Sequence, residues 1–376
     1  MTRMASQVAV LATRPETVVE DYGRLMRLVK YDQVLPRDQD LILKLNLSWT
    51  KYFPACSSQP WQVDGVLKTL VDDGYDRARI FPVENKTVVT NPVEGCRNNK
   101  WEPVLRRHGV PFIPLPDVEW IVYPFKSPLL KLNRIFPEGI EIPKMYVGKN
   151  ILHECTVKTH GHSRTTGAIK NAFGGLLKEV RHYAHEFIHE VLVDLMYMQR
   201  ELHPGVFAVM DGTVMGDGAG PRTMVPRVGN LILASADQVA IDAISAKLMG
   251  FDPMSLKFIR LAHETGLGVG DPREIELVGD DVSGENWHFH GNESTLASRG
   301  QHLIYHGALK PLEKVLLRTA VAPWSYAASV LYHDVYWYPT IGRKRVAEAM
   351  KGKWGRLFET YASGGLASPD VSASAA

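Results

Sequence analysis

The chain has 376 residues, of which 45% are hydrophobic, so it can bury a large core and belongs with globular rather than disordered proteins. Its formal net charge of +2 supplies no basic surface for a polyanion, and we therefore expect no nucleic-acid partner. Its apolar runs are too short or too often interrupted to span a bilayer, which predicts a cytoplasmic protein with no membrane partner.

The cysteines argue against two further classes of protein. Cys56, Cys96 and Cys155 are odd in number and widely separated. Neither a disulfide framework nor a Cys-x-x-Cys zinc or iron–sulfur site can be built from this spacing. We therefore expect no iron–sulfur cluster.

Short apolar runs alternate with helix-period segments through the first third of the chain. Strand-like runs begin at Val8, Leu41, Ala78 and Val110, and helical patterns lie near residues 15–30, 61–73 and 100–108. This alternation predicts a parallel sheet that is covered by helices on both faces. Ligands of such sheets bind at the carboxyl ends of strands, so Lys44 and Asn46 are predicted to contact the ligand.

The patterns divide the chain into three segments. Residues 1–149 form an N-terminal α/β lobe with an irregular connecting stretch after residue 117, and residues 150–290 form a second α/β lobe. Residues 291–376 form a helical extension with a frayed tail, in which Trp324, Tyr326 and Trp337 are expected to pack onto the main body. The predicted fold class is α/β, with mostly parallel sheets covered by helices, two α/β lobes and a C-terminal, aromatic-rich helical extension.

Residues 157–175 have the most unusual composition of the chain: two histidines, two lysines, an arginine and four glycines. A strand leads into this stretch and an amphipathic helix leaves it, which puts Thr166, Gly167 and Lys170 in the first helical turns. Free backbone N–H groups at a helix N-terminus attract an anion, and a lysine adds charge. The stretch therefore predicts an anion-binding turn. The alternative is a glycine-rich connection with solvated basic residues.

These residue types suit acid–base chemistry on a bound anion. We predict catalytic roles for Lys158, His160, His162 and Lys170, and ligand contacts for Arg164, Thr166, Gly167 and Asn171. His160 or His162 would transfer the proton while the cationic side chains hold the anion. Cationic neighbours are expected to lower the pKa of His160 and keep it neutral near pH 7.

A second motif has the spacing of a zinc site. His185-Glu186-x-x-His189 matches the zinc signature of metalloproteases and lies in a segment with a helical pattern. The expected third ligand is missing, because a strand-like run at 206–210 follows instead of another helix, and we interpret the motif as an ordinary helix face. His182 and His185 lie closest in sequence to Lys170, and they are candidate ligands for a divalent transition metal if their face meets His160.

Four of the aspartates further along the chain lie in positions that suggest a role. Asp211 and Asp217 border a glycine-rich stretch that predicts a flexible loop, where a carboxylate can bind the ligand, a metal or a histidine. Asp237 and Asp242 flank a helix start, and we interpret them as an N-cap and a buried structural carboxylate.

Several blocks together carry a family resemblance. Residues 158–160, 166–174, 211–221, 235–242 and 249–253 resemble the successive signatures of the domain of unknown function 362 family, over a match from about Leu41 to Gly279. Many members of that family carry a ferredoxin-like cysteine insert, which this chain lacks. His160, a Thr-Gly turn and then Lys170 also resemble the His-to-Lys turn of nickel-dependent lactate racemases, which implies isomerase chemistry.

Three functions remain open from the sequence. The first is an enzyme of the domain of unknown function 362 type that acts by acid–base chemistry, as an isomerase, epimerase or lyase, on a small anionic substrate. Its cofactor is unknown, a divalent transition metal is one option, and an oligomer is compatible with the sequence. The second is a zinc-dependent hydrolase that uses His185, Glu186 and His189. The third is a non-catalytic protein that binds an anion or a cofactor.

Overall fold

The computed structural model describes residues 6–87, 90–178, 181–291, 327 and 329–363, without the side chains of residues 181–183 and 363. The strands of this part are β1 (Ser6–Ala12), β2 (Leu41–Lys44), β3 (Ile80–Glu84), β4 (Ile113–Pro114), β5 (Trp120–Tyr123), β6 (Ile140–Pro143), β7 (Asn150–His160), β8 (Arg164–Thr165), β9 (Val206–Ala219), β10 (Thr223–Ser235) and β11 (Ile275–Gly279).

The larger helices of the same part are α1 (Val18–Leu28), α3 (Pro60–Asp72), α4 (Pro92–Asn98), α5 (Trp101–His108), α7 (Ala168–Leu176), α8 (Ile188–Leu202), α9 (Gln238–Leu248), α10 (Lys257–Glu264), α11 (Arg343–Met350) and α12 (Lys353–Thr360). The same part also contains two single turns, α2 (Tyr31–Val34) and α6 (Leu132–Ile135), a π-helix (Leu331–Gly342) and several 3₁₀ helices, the longest at Arg181–Phe187. No helix among these residues is both long and apolar enough to cross a membrane.

One nine-stranded sheet organises the fold. Its order is β11-β1-β10-β9-β7-β2-β3-β4, and the short β8 pairs with β7. The strands from β9 through β7, β2 and β3 to β4 are parallel, whereas β10 is antiparallel to both β9 and β1. The predicted α/β fold class with a mostly parallel sheet is confirmed.

Two hydrophobic layers cover the sheet. Helices α7, α8, α9 and α10 pack on one face, and α1, α3, α5 and the C-terminal helices pack on the other. Strands of both predicted lobes take part in the same sheet, with β2 beside β7, so the division at residue 149 stays a prediction about folding units.

The structure differs from two local predictions, one of a loop and one of a helix. The expected flexible loop at 215–221 is for the most part strand, because β9 continues to Ala219 and forms a long hairpin with β10. The segment around His185-Glu186-x-x-His189, which has the pattern of one helix in the sequence, is a 3₁₀ helix that ends at Phe187, followed by α8 from Ile188.

The C-terminal extension is helical where the structure describes it, between residues 329 and 363. Trp337 is 5% exposed and packs onto the main body as expected, whereas Tyr336 on the same helix is 57% exposed. Trp324 and Tyr326 lie outside the described residues.

Candidate functional site

A small cleft lies where β2 and β7 end and α7 begins. Its lining consists of Asn46, Ser48, Cys155, Thr156, Lys158, His160, Thr166, Gly167, Lys170, Asn171 and Pro221. Parallel strands bring their carboxyl ends to one edge of a sheet, which explains why residues distant in sequence meet here. None of these lining residues is acidic, and two of them are lysines.

Lys158 is the most unusual group in the cleft. Its side chain is 1% exposed, and its ammonium donates hydrogen bonds to the Asn46 side-chain oxygen, the Cys56 carbonyl at 2.9 Å and the Thr156 hydroxyl at 2.6 Å. All three acceptors are neutral. Burial lowers the pKa of Lys158 from 10.5 to about 8, because the charged form loses hydration that neutral acceptors replace only in part.

The carboxylates around Lys158 do not neutralise it. Glu154 lies four residues earlier on β7, is fully buried, and has a pKa that burial raises well above its usual range, which favours the neutral form. The charge of Glu84 acts on Lys158, but the Glu84 carboxylate is bound by the Lys44 ammonium at 2.8 and 2.9 Å. Lys158 is therefore a buried cation without an acidic partner among the described residues.

His160 is held in one tautomer by the turn that follows it. Its Nδ1 accepts hydrogen bonds from the backbone N–H groups of His162 at 3.1 Å and Ser163 at 3.3 Å. An Nδ1 that accepts from two amides has its lone pair in use, so the neutral ring carries its proton on Nε2. Burial first, and then the charge of Lys170, lower the pKa of His160 well below 6.5, in the expected direction.

This geometry changes the role expected for His160. A general base needs a free lone pair directed at the substrate, and the lone pair of Nδ1 is already engaged. A neutral ring with its proton on Nε2 can instead donate a hydrogen bond. His162, the other predicted proton carrier, lies beside the cleft with its ring centroid 5.9 Å from that of His160.

The predicted turn places four more residues at the cleft. Thr166, Gly167, Lys170 and Asn171 all line it, and the Asn171 side chain accepts a hydrogen bond from Asn46 at 3.1 Å. The Lys170 Nζ lies 5.0 Å from the ring centroid of Phe173. Thus helix α7, strand β7 and the loop after β2 all contribute to the lining of the cleft.

Several N–H groups around the start of α7 are bound within the protein. The buried Asp242 carboxylate accepts hydrogen bonds from Ala168 N–H at 2.7 Å and Ile169 N–H at 3.1 Å, while Thr166 N–H binds the Lys158 carbonyl at 2.9 Å. A Cβ at Gly167 would lie 2.1 Å from the Asp242 carboxylate, so only glycine allows this approach. An internal carboxyl group thus occupies two N–H groups of the predicted turn, and an anion at this turn stays a prediction.

Two predicted ligand contacts lie elsewhere. Lys44 is buried beneath α7 in the pair with Glu84 rather than at the cleft surface, and the close approach of the helix depends on Gly175, whose added Cβ would lie 3.1 Å from the Lys44 side chain. The Arg164 guanidinium lies 4.6 Å from the ring centroid of Phe251 and does not line the cleft.

Comparisons with known proteins bear on the same residues. The model of a family described as a domain of unknown function (DUF362) matches residues 41–247, more than half of the chain. The chain belongs to the DUF362 family. Every residue that lines the cleft lies within the matched segment. Among curated proteins, no sequence matches this chain at a significant level.

Two solved structures resemble this member of the DUF362 family. The lactate racemase apoprotein from Thermoanaerobacterium thermosaccharolyticum is 12% identical, with a TM-score of 0.39, over 66% of this chain and 58% of its own. A protein from Thermotoga maritima is 11% identical, with a TM-score of 0.37, over 67% of this chain and 59% of its own. The chain thus spans less than two thirds of the length of either protein.

Asp211 and Asp217 lie inside β9 and do not reach the cleft. Asp211 is fully buried and accepts hydrogen bonds from the Tyr22 hydroxyl at 2.6 Å, the Trp61 indole at 3.0 Å and the Thr213 hydroxyl at 2.7 Å. Burial raises its pKa, and these donors oppose the rise. Asp211 is therefore a structural residue rather than the predicted ligand or orienter of a histidine.

Asp217 binds a histidine, but not one from the cleft. Its carboxylate accepts from the backbone N–H of His290 at 2.9 Å, lies 3.1 Å from the His290 Nδ1, and pairs with Arg227 at 3.2 Å. Asp237 caps α9 through Val239 and Ala240 N–H, as the sequence indicated.

The His-Glu-x-x-His motif is divided between two elements. His185 belongs to the 3₁₀ helix, and its ring centroid lies 5.2 Å from that of Phe173 and 6.5 Å from that of His160. His189 belongs to α8 and stacks on Phe258 of α10 at 6.1 Å. The two imidazoles therefore do not share one helix face, as the zinc signature requires.

The histidines near the cleft lie close together, but the described residues do not form a metal site there. The rings of His160, His162 and His185 cluster at 5.3–6.5 Å, as the sequence expected for His185, while the side chain of His182 lies outside the described residues. The Nδ1 of His160 is engaged by amides, and no group of three or more potential ligands in the described part of the chain is arranged to hold a metal ion.

The sequence missed some residues of the site. Cys155, Thr156 and Pro221 line the cleft without having been predicted there, and Arg222 follows Pro221 with a buried Nη1 that has no hydrogen-bond partner. The sequence feature that could have indicated Pro221 and Arg222 is the Gly220-Pro221 pair at the end of the family-like block 211–221. A Cβ at Gly220 would lie 1.9 Å from the Thr159 carbonyl, so this glycine lets the β9–β10 hairpin approach β7.

Proposed function

We propose that this protein binds a small carboxylate- or phosphate-bearing molecule in the cleft and catalyses proton transfer on it, as an isomerase, epimerase or lyase. The observation that carries the proposal is Lys158, a buried ammonium whose described hydrogen-bond partners are all neutral. A buried charge without a counter-ion is costly, and an anionic ligand offsets part of that cost.

The second cation defines where the anion lies. Lys170 lies on α7 and lines the same cleft as Lys158, and its charge acts on His160. An anion between Lys158 and Lys170 interacts with both ammonium groups in a cleft whose lining includes no acidic residue. Such pairs of cations are typical of sites that hold carboxylates or phosphates.

The proton-transfer role falls on Lys158 rather than on His160. Its pKa of about 8 leaves a fraction of Lys158 neutral near pH 7 to 8. In this form Lys158 gives up one of its three hydrogen bonds and turns the freed lone pair towards the substrate to accept a proton, while the Lys170 ammonium holds the anion. The Thr156 hydroxyl and the Asn46 amide fix the direction of the ammonium. His160 donates its Nε2 proton to a substrate oxygen, which stabilises negative charge that develops there.

Solvent-deuterium exchange tests this proposal. The protein is incubated in D2O with a panel of small 2-hydroxy, 2-amino and phosphorylated acids, and proton NMR follows the loss of C–H signals. Lys158→Met and Lys170→Met should each lower the exchange rate by roughly 10²- to 10⁴-fold. Lys178→Met, which changes an exposed lysine paired with Glu141, is the matched control.

Calorimetry with acetate and inorganic phosphate separates binding from catalysis. Binding that depends on Lys158, with no exchange on any member of the panel, would favour a non-catalytic binding protein. Absence of binding, together with exchange that is unchanged in Lys158→Met, would refute the proposal.

A further inference from the structure

The loop at residues 45–59, here called the cleft loop, supplies much of the environment of Lys158. Its Asn46 side chain and its Cys56 carbonyl accept two of the three hydrogen bonds of the ammonium, and Ser48 lines the cleft. The cleft loop contains neither helix nor strand. Its conformation must therefore be fixed by side-chain packing and by hydrogen bonds to other parts of the chain.

The aromatic side chains of the cleft loop pack against the C-terminal extension. Trp49 and Phe53 are fully buried. The centroid of the Trp49 ring lies 6.0 Å from that of Trp337 and 5.0 Å from that of Tyr338. The centroid of the Phe53 ring lies 5.5 Å from that of Trp337. These contacts bury two large apolar side chains of the cleft loop that would otherwise be exposed to solvent.

Polar contacts fix the same interface. The Trp49 indole donates a hydrogen bond to Asp334 at 2.8 Å, and Lys51 pairs with Asp334 at 3.1 Å. The Tyr338 hydroxyl donates to the Tyr52 carbonyl at 3.2 Å. Asp334 therefore joins two residues of the cleft loop to one point on the extension.

We infer that residues 331–361, which lie outside the family-matched segment, act as a positioning element that holds the cleft loop so that Asn46 and Cys56 can bind the Lys158 ammonium. Trp49, Phe53 and Asp334 are positioning residues in this arrangement, because they act through the loop and do not line the cleft. The effect on anion binding rests on the function proposed above, whereas the effect on Lys158 does not.

The extension also has a second attachment, which provides a control. The Trp354 indole donates to Asn230 at 2.8 Å, and the Tyr361 hydroxyl donates to Asp64 at 2.9 Å. These contacts join the extension to β10 and α3, away from the cleft loop. A variant there weakens the docking of the extension without removing a contact to the loop.

The test compares Asp334→Asn with Tyr361→Phe. Each removes polar interactions of the extension, but only Asp334 contacts the cleft loop. Acetate is the probe, because its own charge is constant between pH 6 and 9.5. Its affinity is measured by NMR titration across that range. The affinity should fall as Lys158 loses its proton, near pH 8 in the wild type.

Asp334→Asn should weaken acetate binding about 5- to 10-fold and move the midpoint of the pH profile below that of the wild type, because the acceptors of Lys158 are less well placed. Tyr361→Phe should change the acetate affinity by less than twofold and should leave the midpoint of the pH profile at its wild-type value. The other groups whose charges act on Lys158 are Cys56, Cys155, Glu84 and Lys44, and neither variant changes them. Equal effects of both variants on affinity and midpoint would overturn the inference and leave the extension a purely stabilising role.

A protein that binds no acetate would count against the proposed function rather than against the positioning role. In that case the pKa of Lys158 is obtained from stability. The free energy of unfolding is measured as a function of pH for four proteins: the wild type, Lys158→Met, Asp334→Asn and the double variant. The difference that Lys158→Met makes in each background gives the pKa of Lys158 there. An identical pKa of Lys158 in the two backgrounds would overturn the positioning role.

Discussion

Replacing Lys158 by methionine removes a buried ammonium but keeps an unbranched side chain, and it changes how stability depends on pH. Burial lowers the pKa of Lys158 to about 8 in the folded protein, whereas a lysine in the unfolded chain titrates near 10.5. Below pH 8 both states hold the proton, and the folded state bears the full cost of the buried charge. Between pH 8 and 10.5 the unfolded chain binds more protons, so the free energy of unfolding of the wild type rises with pH relative to the variant.

The size of this change follows from the two pKa values. They differ by about 2.5 pH units, and each unit corresponds to roughly 1.4 kcal/mol, which gives about 3 kcal/mol over the whole interval. The side chain is 1% exposed, so solvent screening takes little from this value. The loss of hydrogen bonds in Lys158→Met adds an offset that does not depend on pH in this interval.

Reversible urea unfolding of both proteins at several values between pH 7 and 10.5 measures the difference. Tyrosines and the other lysines titrate in both proteins, so their contributions cancel. Saturating acetate should reduce the slope, because a bound anion stabilises the ammonium and raises its pKa. A difference in free energy of unfolding that stays constant within about 0.5 kcal/mol would show that the Lys158 pKa is not lowered, and it would remove the physical basis of the proposed role.

Five further substitutions, at four residues, test other parts of the structure. His160→Gln keeps an N–H group at the ε position and should retain solvent-deuterium exchange within about tenfold, whereas His160→Ala should lose roughly 10²- to 10³-fold; equal losses would contradict the donor role. Gly175→Ala places a Cβ 2.7 Å from the Tyr146 hydroxyl and should cost about 1–3 kcal/mol in thermal unfolding, which an unchanged Tm would disprove. His185→Ala and His189→Ala should match the wild type in metal content by mass spectrometry, because their side chains lie on separate elements; zinc that is stoichiometric in the wild type and lost in both variants would reverse this view.

The sequence predicted the part of the site that is local in the chain. Lys158, His160, Gly167 and Lys170 lie on a strand, a turn and a helix that follow one another directly, and all four line the cleft. Hydrophobic periodicity and glycine spacing report such local order well. The rim residue Asn46 was also predicted, because the carboxyl ends of parallel strands meet at one edge.

The remaining features depend on contacts between residues far apart in the sequence. Asp242 fills the N-terminus of α7 from 74 positions away, and no local pattern shows that this end is already occupied. Lys44 has the same charge as Lys158 and also ends a strand, yet it pairs with Glu84 because two glycines let α7 approach it. The tautomer of His160 likewise depends on the exact path of the turn after it.

The pairing of β1 with β10 has a consequence for work on fragments. Residues 9–12, which precede the family-matched segment, pair with residues 231–234 inside it. An excised piece covering 41–247 would expose the apolar run Leu231-Ile232-Leu233-Ala234 as an unprotected sheet edge, and such edges recruit strands from other molecules. That piece should self-associate when it is produced alone, and a chimera that exchanges the matched segment between relatives has to carry β1 with it.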